Sequence, residues 1–405
     1  MATLPLARYY RYMFLPGLLL FLAPMLLRTY LLSPFPGSQM LDALDTVYFL
    51  EKIMLPAQIL GIILMIGPII NVFLHGSRLK RVATVFLCVF LVGVYFMTNF
   101  KMSAEKFFQE PKEKRFATVA ENKVELDRYV IGVVNNGEAK AYPVQFIAYH
   151  HKVQDSVGGM PVLVTYCSMC HTGRVFDPVV DGTYQQFRLV GARQYNAVIE
   201  DESTGTWWYQ ATGEAAAGPK TGSRLKEIPY EQIALSAWIE AHPNTLIMQA
   251  DPAFTAMYQQ FEEYEFMREL EPDSTTGVVP KWDISNWVVG VDLGNAAKAF
   301  EWNDLTKVRV VNDAVGTTPV VVALEKDSLS YHVWNRAVDG ATLEFRLDSA
   351  GHGLRDAATS SLWNWRGEAV EGSYQGKRLA PVQGHQEYWH SWKTFHPKTE
   401  QWELK

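Results

Sequence analysis

An internal repeat constrains this chain more than any other feature of its sequence. The segment that begins at Pro161 matches the one that begins at Pro319 without a gap, and the offset of 158 residues holds over a long stretch. Under that offset the matched residues include Gly132 with Gly290, Lys140 with Lys298, Asp155 with Asp313, Asp181-Gly182 with Asp339-Gly340, and Phe187-Arg188-Leu189 with Phe345-Arg346-Leu347. A few short strands with one helix rarely bury enough surface alone. The repeat therefore predicts two pseudo-equivalent β-rich units that pack together.

The two copies differ most at a cysteine loop. The first copy reads Cys167-Ser-Met-Cys170-His171, whereas residues 325–329 of the second read Glu-Lys-Asp-Ser-Leu. His150 and His151 become Val308 and Arg309. Residues that change together are expected to meet at one site. After this loop the offset between the copies falls from 158 to 155. Three residues in that stretch have no clear counterpart in the second copy: Arg193, Tyr195 and Asn196.

Three apolar segments occupy the first quarter of the chain. They cover residues 12–32, 56–74 and 82–100, each near the roughly 20 residues that a bilayer core requires. Arg8 and Arg11 precede the first segment, Arg78, Lys80 and Arg81 lie between the second and third, and the link between the first two is acidic. The positive-inside rule then places the N-terminus in the cytoplasm and everything after about Lys101 outside it.

These observations predict an α-helical membrane segment of three spans followed by a mainly-β extracytoplasmic region made of two tandem repeats. The expected parts are a membrane domain at 1–105, a first repeat with the Cys-x-x-Cys loop at 106–250, and a linker helix with a degenerate second repeat at 251–405. Residues 101–123 are charged and are expected to form a helical tether. The expected location is a bacterial-type inner membrane, with the soluble region on the periplasmic side. Barrel and sandwich architectures both stay open.

Two turns are predicted within the first repeat. Asn136-Gly137 lies between two strand-like runs, which is a strong hairpin signal. The cysteine loop, residues 167–172, is expected to join a strand ending at Tyr166 to one beginning at Gly173. A tight Cys-x-x-Cys loop brings two sulfurs to one point, which suits a soft metal or a redox-active dithiol.

Several runs resemble the domain-of-unknown-function 3179 family. They include Asp155-Ser-Val-Gly-Gly-Met-Pro, Thr165-Tyr-Cys-Ser-Met-Cys and Thr204-Gly-Thr-Trp-Trp-Tyr-Gln-Ala-Thr-Gly-Glu-Ala, and the resemblance covers most of residues 124–399. The family's usual loop is similar to Cys-Pro-Leu-Cys-Gly, from which this chain departs at Ser168, Met169 and His171. The resemblance implies hallmark positions at Cys167, Cys170 and His150, with nearby motif positions at Tyr195, Asn196, Trp208 and Gln210. It implies no activity.

The favoured hypothesis is a soft-metal site. Two thiolates and the His150 imidazole suit copper or zinc, and a methionine inside the loop favours copper. Met169, His151 or His171 would complete the ligand set. The residues expected to line the site are Tyr195, Asn196, Arg193, Trp208 and Gln210.

Three alternatives remain open. Cys167-x-x-Cys170-His171 is the attachment pattern of a c-type haem, with His171 as the proximal ligand. In the second alternative, Cys167 and Cys170 form a disulfide that exchanges with the thiols of a partner protein. In the third, the chain is a non-enzymatic accessory subunit of a membrane complex. Expected partners are the membrane and another membrane or redox complex. The net charge of −6 gives no electrostatic case for nucleic acid, and the oligomeric state and any enzymatic activity stay open.

Overall fold

The computed structural model describes residues 10–261 and 281–404. The helices are α1 (Tyr10–Leu32), α2 (Leu44–His75), α3 (Arg78–Phe96), α4 (Ala104–Phe107), α5 (Val144–His150), α6 (Leu235–Ala241), α7 (Thr255–Gln260), α8 (Trp302–Val308) and α9 (Trp389–Phe395). Single 3₁₀ turns cover Ser38–Met40, Val119–Glu121 and Pro252–Phe254, and a π turn covers Met97–Lys101.

The strands are short and fill most of the chain after the helical segment. The first fourteen are β1 (Arg115–Ala117), β2 (Tyr129–Asn135), β3 (Glu138–Pro143), β4 (Lys152–Val157), β5 (Met160–Cys167), β6 (Thr172–Phe176), β7 (Val179–Val180), β8 (Thr183–Tyr184), β9 (Phe187–Arg193), β10 (Asn196–Asp201), β11 (Trp207–Tyr209), β12 (Ala215–Ala217), β13 (Glu231–Ala234) and β14 (Leu246–Gln249). The others are β15 (Trp287–Asp292), β16 (Ala297–Glu301), β17 (Val310–Val315), β18 (Thr318–Leu324), β19 (Tyr331–Asn335), β20 (Ala337–Val338), β21 (Ala341–Thr342), β22 (Phe345–Leu347), β23 (Leu354–Asp356), β24 (Leu362–Trp363), β25 (Ala369–Glu371), β26 (Ala380–Pro381), β27 (His385–Tyr388) and β28 (Glu400–Trp402).

Three helices are long and apolar enough to cross a membrane, which confirms the predicted helical segment. They cover Tyr12–Leu32, Leu44–His75 and Arg78–Lys101. Gly17 and Gly61 let α1 and α2 approach closely, since a Cβ built on Gly17 would lie 2.8 Å from the Gly61 carbonyl.

The chain groups into two compact units. The first unit contains the described residues up to 109 together with 187–209 and 214–223, and its sheet has the antiparallel order β12-β11-β10-β9. Val190, Val198 and Trp207 of this sheet cluster with Leu32 and Leu44 at the ends of α1 and α2. An apolar face of the sheet is therefore buried against the helical segment.

The second unit contains residues 110–186, 210–213 and the described residues from 224 onward. Its larger sheets have the orders β1-β14-β3-β2-β13, β4-β5-β6, β27-β15-β16-β28, β17-β18-β19-β26 and β22-β23-β24-β25. Most neighbours are antiparallel, and the parallel pairs are β14 with β3 and β16 with β28. This region is mainly β, as the sequence predicts.

Local turn chemistry forms the predicted hairpins. Asn136 and Gly137 have φ angles of 47° and 79°, the left-handed conformations that a two-residue turn between β2 and β3 requires. The cysteine loop joins β5 to β6, and each strand reaches one residue closer to the loop than predicted.

The predicted helical tether at residues 101–123 is wrong. Only Ala104–Phe107 is α-helical there, and Arg115–Ala117 pairs with β14 as a strand. Asp251 also accepts the backbone N–H groups of Lys112 and Glu113, at 2.7 and 3.0 Å. These tertiary hydrogen bonds override the local helix propensity. Of the predicted linker helix, residues 255–260 are helical, and residues 262–271 lie outside the described part.

Candidate functional site: the cysteine loop

The cysteine loop closes a four-residue hairpin connection. Cys167 is the last residue of β5, opposite Thr172 of β6, and His171 has a φ of 51°, the left-handed conformation that turns the chain back. Both cysteines are fully buried, and the Cys170 thiol donates to the Cys167 carbonyl at 3.8 Å. Met169 in the same loop is half-buried. The fold thus holds two thiols together beneath one tight turn.

The surroundings keep the Cys170 thiol protonated. Burial is the main cause that raises its pKa well above the ordinary value, and the hydrogen bond and charge of Cys167 add to it. The carboxylate of Glu387 raises the pKa further, while the nearby Ser391 hydroxyl lowers it. Because the thiolate is the metal ligand, any metal that binds here must displace a proton.

Residues far along the chain cover the loop. The Tyr388 backbone N–H, at the end of β27, donates to the Cys170 carbonyl at 2.9 Å. The His171 ring lies against the Tyr388 ring with centroids 4.2 Å apart, and burial lowers the pKa of His171 to about 3. His171 is therefore neutral at physiological pH.

A buried ion pair lies beside the loop. Arg174 of β6 donates from Nη2 to Glu387 Oε1 at 3.0 Å, and both side chains are almost wholly buried. Arg174 Nε also donates to the Ala211 carbonyl at 2.6 Å. The sequence gives no signal for Glu387, Tyr388 or Ser391, because they lie more than 200 positions from the cysteines and belong to no local motif.

Gln210 joins the two strands beside the loop through hydrogen bonds to both. Its Nε2 donates to Thr165 Oγ1 at 2.9 Å and to the Thr172 carbonyl at 3.0 Å. Four buried side-chain oxygens around the loop have no hydrogen-bond partner in the described part of the chain: Thr172 Oγ1, Gln210 Oε1, Glu387 Oε2 and Ser391 Oγ. Unsatisfied buried polar atoms of this kind often mark a place for water or an ion.

The two predicted histidine ligands lie at the end of α5. His150 Nε2 is 2.7 Å from the Tyr258 hydroxyl, and its ring packs against Phe254 with centroids 5.2 Å apart. His151 caps the helix with a φ of 61°, and its carbonyl accepts the Tyr166 N–H at 3.0 Å. Within residues 10–261 and 281–404, no group of three or more His, Cys, Asp or Glu side chains gathers closely enough to hold a metal. A third ligand from His150 stays a prediction.

The remaining predicted lining residues belong to the first unit, whereas the cysteines and Gln210 belong to the second. Arg193 pairs with Asp42 at 2.6 Å, and the Tyr195 N–H donates to Gln39 Oε1 at 3.2 Å. Trp208 Nε1 donates to Asp201 Oδ2 at 2.9 Å, and Asn196 is buried at the start of β10. Their place around the cysteines stays a prediction.

These features define a class of protein with apolar helices and a mainly-β region that holds a buried Cys-x-x-Cys hairpin. The chain belongs to the family described as "Protein of unknown function (DUF3179)", whose model matches residues 111–399. The family resemblance is thereby confirmed. Among curated proteins and among solved structures, nothing matches the chain.

Proposed function

We propose that this chain is a membrane-anchored protein whose β-rich region lies outside the cytoplasm and binds a soft metal ion, copper(I) before zinc, through Cys167 and Cys170. The observation that carries the proposal is the pair itself, two hydrogen-bonded thiols held beneath a hairpin turn. Soft thiolates select copper(I), whereas a structural zinc ion takes four protein ligands. The thiolate sulfurs would hold the ion, and Met169 is the nearest further soft ligand in the sequence.

The state of the thiols favours metal binding over thiol–disulfide exchange. Exchange requires an accessible thiolate, and both cysteines are fully buried, with the pKa of Cys170 raised. A metal ion compensates for burial, because its positive charge stabilises the thiolates that the empty site disfavours. The unsatisfied oxygens of Thr172, Gln210 and Glu387 add polar groups beside the pair.

We also propose that the β-rich region is a tandem repeat whose second copy supports the first. Equivalent contacts recur in both halves. Lys140 pairs with Asp155 at 3.0 Å and Lys298 with Asp313 at 2.8 Å. Two tryptophan hydrogen bonds also recur. Trp238 donates to Thr245 as Trp392 does to Thr399, and Trp208 donates to Asp201 as Trp363 does to Asp356. A residue in the left-handed conformation ends the equivalent helices, His151 after α5 and Arg309 after α8.

Elemental analysis tests the metal proposal. The detergent-purified protein is reloaded with copper(I) under reducing conditions, beside a Cys167→Ser, Cys170→Ser double variant and a Cys88→Ser control. Cys88 lies in α3, outside the hairpin, so its replacement should leave metal retention unchanged. We expect about one copper per chain in the wild type and the control, and none in the double variant.

Other results discriminate among the alternatives. Metal retained by the double variant contradicts the proposal. Iron at one per chain, with a haem absorption spectrum, would replace it with the c-type haem hypothesis. A wild type that retains neither copper nor zinc also overturns it, and thiol titration then tests for a disulfide.

A further inference from the structure

A cavity of about 270 Å³ lies in the second unit, away from the cysteine loop. Its inner wall comes from β13 and β19 and from the segments that follow β18 and β24. It includes Ile233, Trp334, His332, Trp365 and Glu325. Exposed side chains at its edge are Glu231, Glu240, His352, Arg366 and Arg378. None of these residues enters the proposed metal site.

Three aromatic rings along the wall are stacked in fixed positions. The His332 ring lies 5.0 Å from Trp334 at an interplanar angle of 11°, and 5.8 Å from Trp365 at 23°. His332 Nε2 is 2.8 Å from Glu325 Oε1, and Trp365 Nε1 donates to the Gly351 carbonyl at 3.3 Å. Rings held this firmly lose little conformational entropy when a ligand binds.

Gly367 maintains the shape of the wall. Its φ is +72°, and a Cβ built there would lie 2.8 Å from Trp334 Nε1. The backbone after β24 thus approaches the indole more closely than any other residue would allow, which brings Trp365 and Trp334 to the same cavity.

The charges at the mouth are of both signs. Glu231 and Glu240 oppose Arg366 and Arg378, and Arg366 also pairs with Glu368 at 3.0 Å. A strongly cationic or anionic ligand gains no net attraction from such an edge. A neutral ligand rich in hydroxyl groups uses both kinds of charge, because each hydroxyl donates to carboxylates and accepts from guanidinium groups.

We propose that this cavity binds a neutral saccharide. The C–H groups of a sugar ring meet the electron-rich faces of aromatic rings favourably, and its hydroxyls match the mixed charges at the edge. The volume is below the roughly 300 Å³ at which drug-sized sites begin, which suits one ring. A neighbouring cavity of about 420 Å³ shares Glu231, His332 and Trp334, so a second linked ring has room.

Both copies line the cavity: the first supplies Ile233, Glu231 and Glu240, and the second supplies the three stacked rings. The offset of 158 residues aligns Glu325 with Cys167 and His332 with Arg174. At the positions where the first copy carries Cys167 and Arg174, the second copy therefore contributes Glu325 and His332 to the cavity wall. This inference does not depend on metal binding.

Saturation-transfer NMR on the detergent-purified full chain tests the proposal. The probes are glucose, galactose, mannose, N-acetylglucosamine, maltose, cellobiose and diacetylchitobiose. We expect at least one to bind, with affinity at least tenfold lower in Trp365→Ala and Glu325→Gln. Trp365→Phe keeps an aromatic ring and should bind within threefold of the wild type. Trp402→Ala, which removes a tryptophan outside the cavity, should bind as the wild type does.

Three outcomes overturn the inference. They are no saturation transfer to any saccharide, transfer that persists at full strength in Trp365→Ala, and transfer lost equally in the Trp402→Ala control. Charged analogues of the saccharide that binds best test whether the cavity prefers a neutral ligand. Binding of glucosamine or gluconate more tightly than glucose contradicts the assignment of a neutral ligand.

Discussion

At the scale of single residues, the cysteine loop combines what local sequence encodes with what only tertiary structure supplies. The sequence predicted that Cys167 and Cys170 lie together and that a hairpin turn joins their strands, because both follow from short spacings. Glu387 and Ser391, which add smaller and opposite effects to the burial that raises the pKa of Cys170, follow from no spacing, because a distant strand and helix deliver them.

The left-handed backbone of His171 also has a local explanation. Its φ of 51° lies where glycine is favoured, and the resemblance implies that the family's usual loop has glycine at this position. In this chain the His171 ring packs against the Tyr388 ring, with centroids 4.2 Å apart.

Copper affinity should depend on pH because of the Cys170 thiol. Its pKa is raised, so the proton remains until the solution is more alkaline than an ordinary cysteine requires, and copper(I) must displace it. Apparent affinity should therefore rise as pH rises, by up to about tenfold per pH unit for each proton released. Competition with a chromophoric copper(I) chelator between about pH 6 and 9 measures this.

Ser391→Ala provides the matched variant. Ser391 lowers the pKa of Cys170, so its removal should move the rise in affinity to higher pH. An affinity that does not change with pH would mean that the thiols are already ionised before copper binds.

At the scale of elements, local turn chemistry was the most informative part of the sequence. Asn136-Gly137 and the cysteine loop gave hairpins where predicted, because each turn is determined by the residues in it. The prediction of a helix at residues 101–123 failed because the partners of this segment, β14 and Asp251, lie more than 100 positions away in the sequence. Charge and composition alone could not reveal them.

Two glycines should be essential to their helix–strand packing. A Cβ on Gly132 would overlap the indole ring of Trp238, and a Cβ on Gly290 would overlap that of Trp392. Both indoles are fully buried. A Cβ that overlaps a buried indole forces the ring or the backbone to shift, so we expect Gly132→Ala and Gly290→Ala each to destabilise the protein by about 1–3 kcal/mol.

Thermal unfolding of the purified protein, followed by tryptophan fluorescence, measures this destabilisation. Gly93→Ala is the control, because nothing lies within 4 Å of a Cβ built there. If the two glycine variants unfold at the same temperature as the control, the close packing of these indoles is not important for stability.

At the scale of the whole molecule, long-range contacts join segments that the sequence keeps apart. Arg174 and Glu387 are 213 positions apart, yet they form a buried pair beside the cysteine loop. The composition predicted a helical segment and a mainly-β region. It could not predict which distant strands meet, since an ion pair across such a separation leaves no periodic pattern.

Removing one partner of this pair should destabilise the protein strongly. Glu387→Gln leaves the buried Arg174 guanidinium with only the longer contact to Glu227, at 3.9 Å, and breaking a buried pair in this way typically costs up to about 3–5 kcal/mol. The Arg174→Met, Glu387→Gln double variant should recover part of the loss. Unfolding midpoints of the wild type, both single variants and the double variant give the coupling energy.

Arg366→Ala is the control for a charge removed from an exposed pair, and it should change stability by less than about 1 kcal/mol. A Glu387→Gln variant as stable as this control would show that the buried pair does not hold β6 and β27 together.

The sheet β9–β12 has a practical consequence for anyone who wishes to produce the β-rich region by itself. Its apolar side chains, among them Val190, Val198 and Trp207, are covered by Leu32 and Leu44 from the helical segment. A fragment that begins after the helices would expose this face to water and would tend to aggregate. Expression with the helices in detergent, or replacement of the exposed apolar residues by polar ones, is the route to a usable sample.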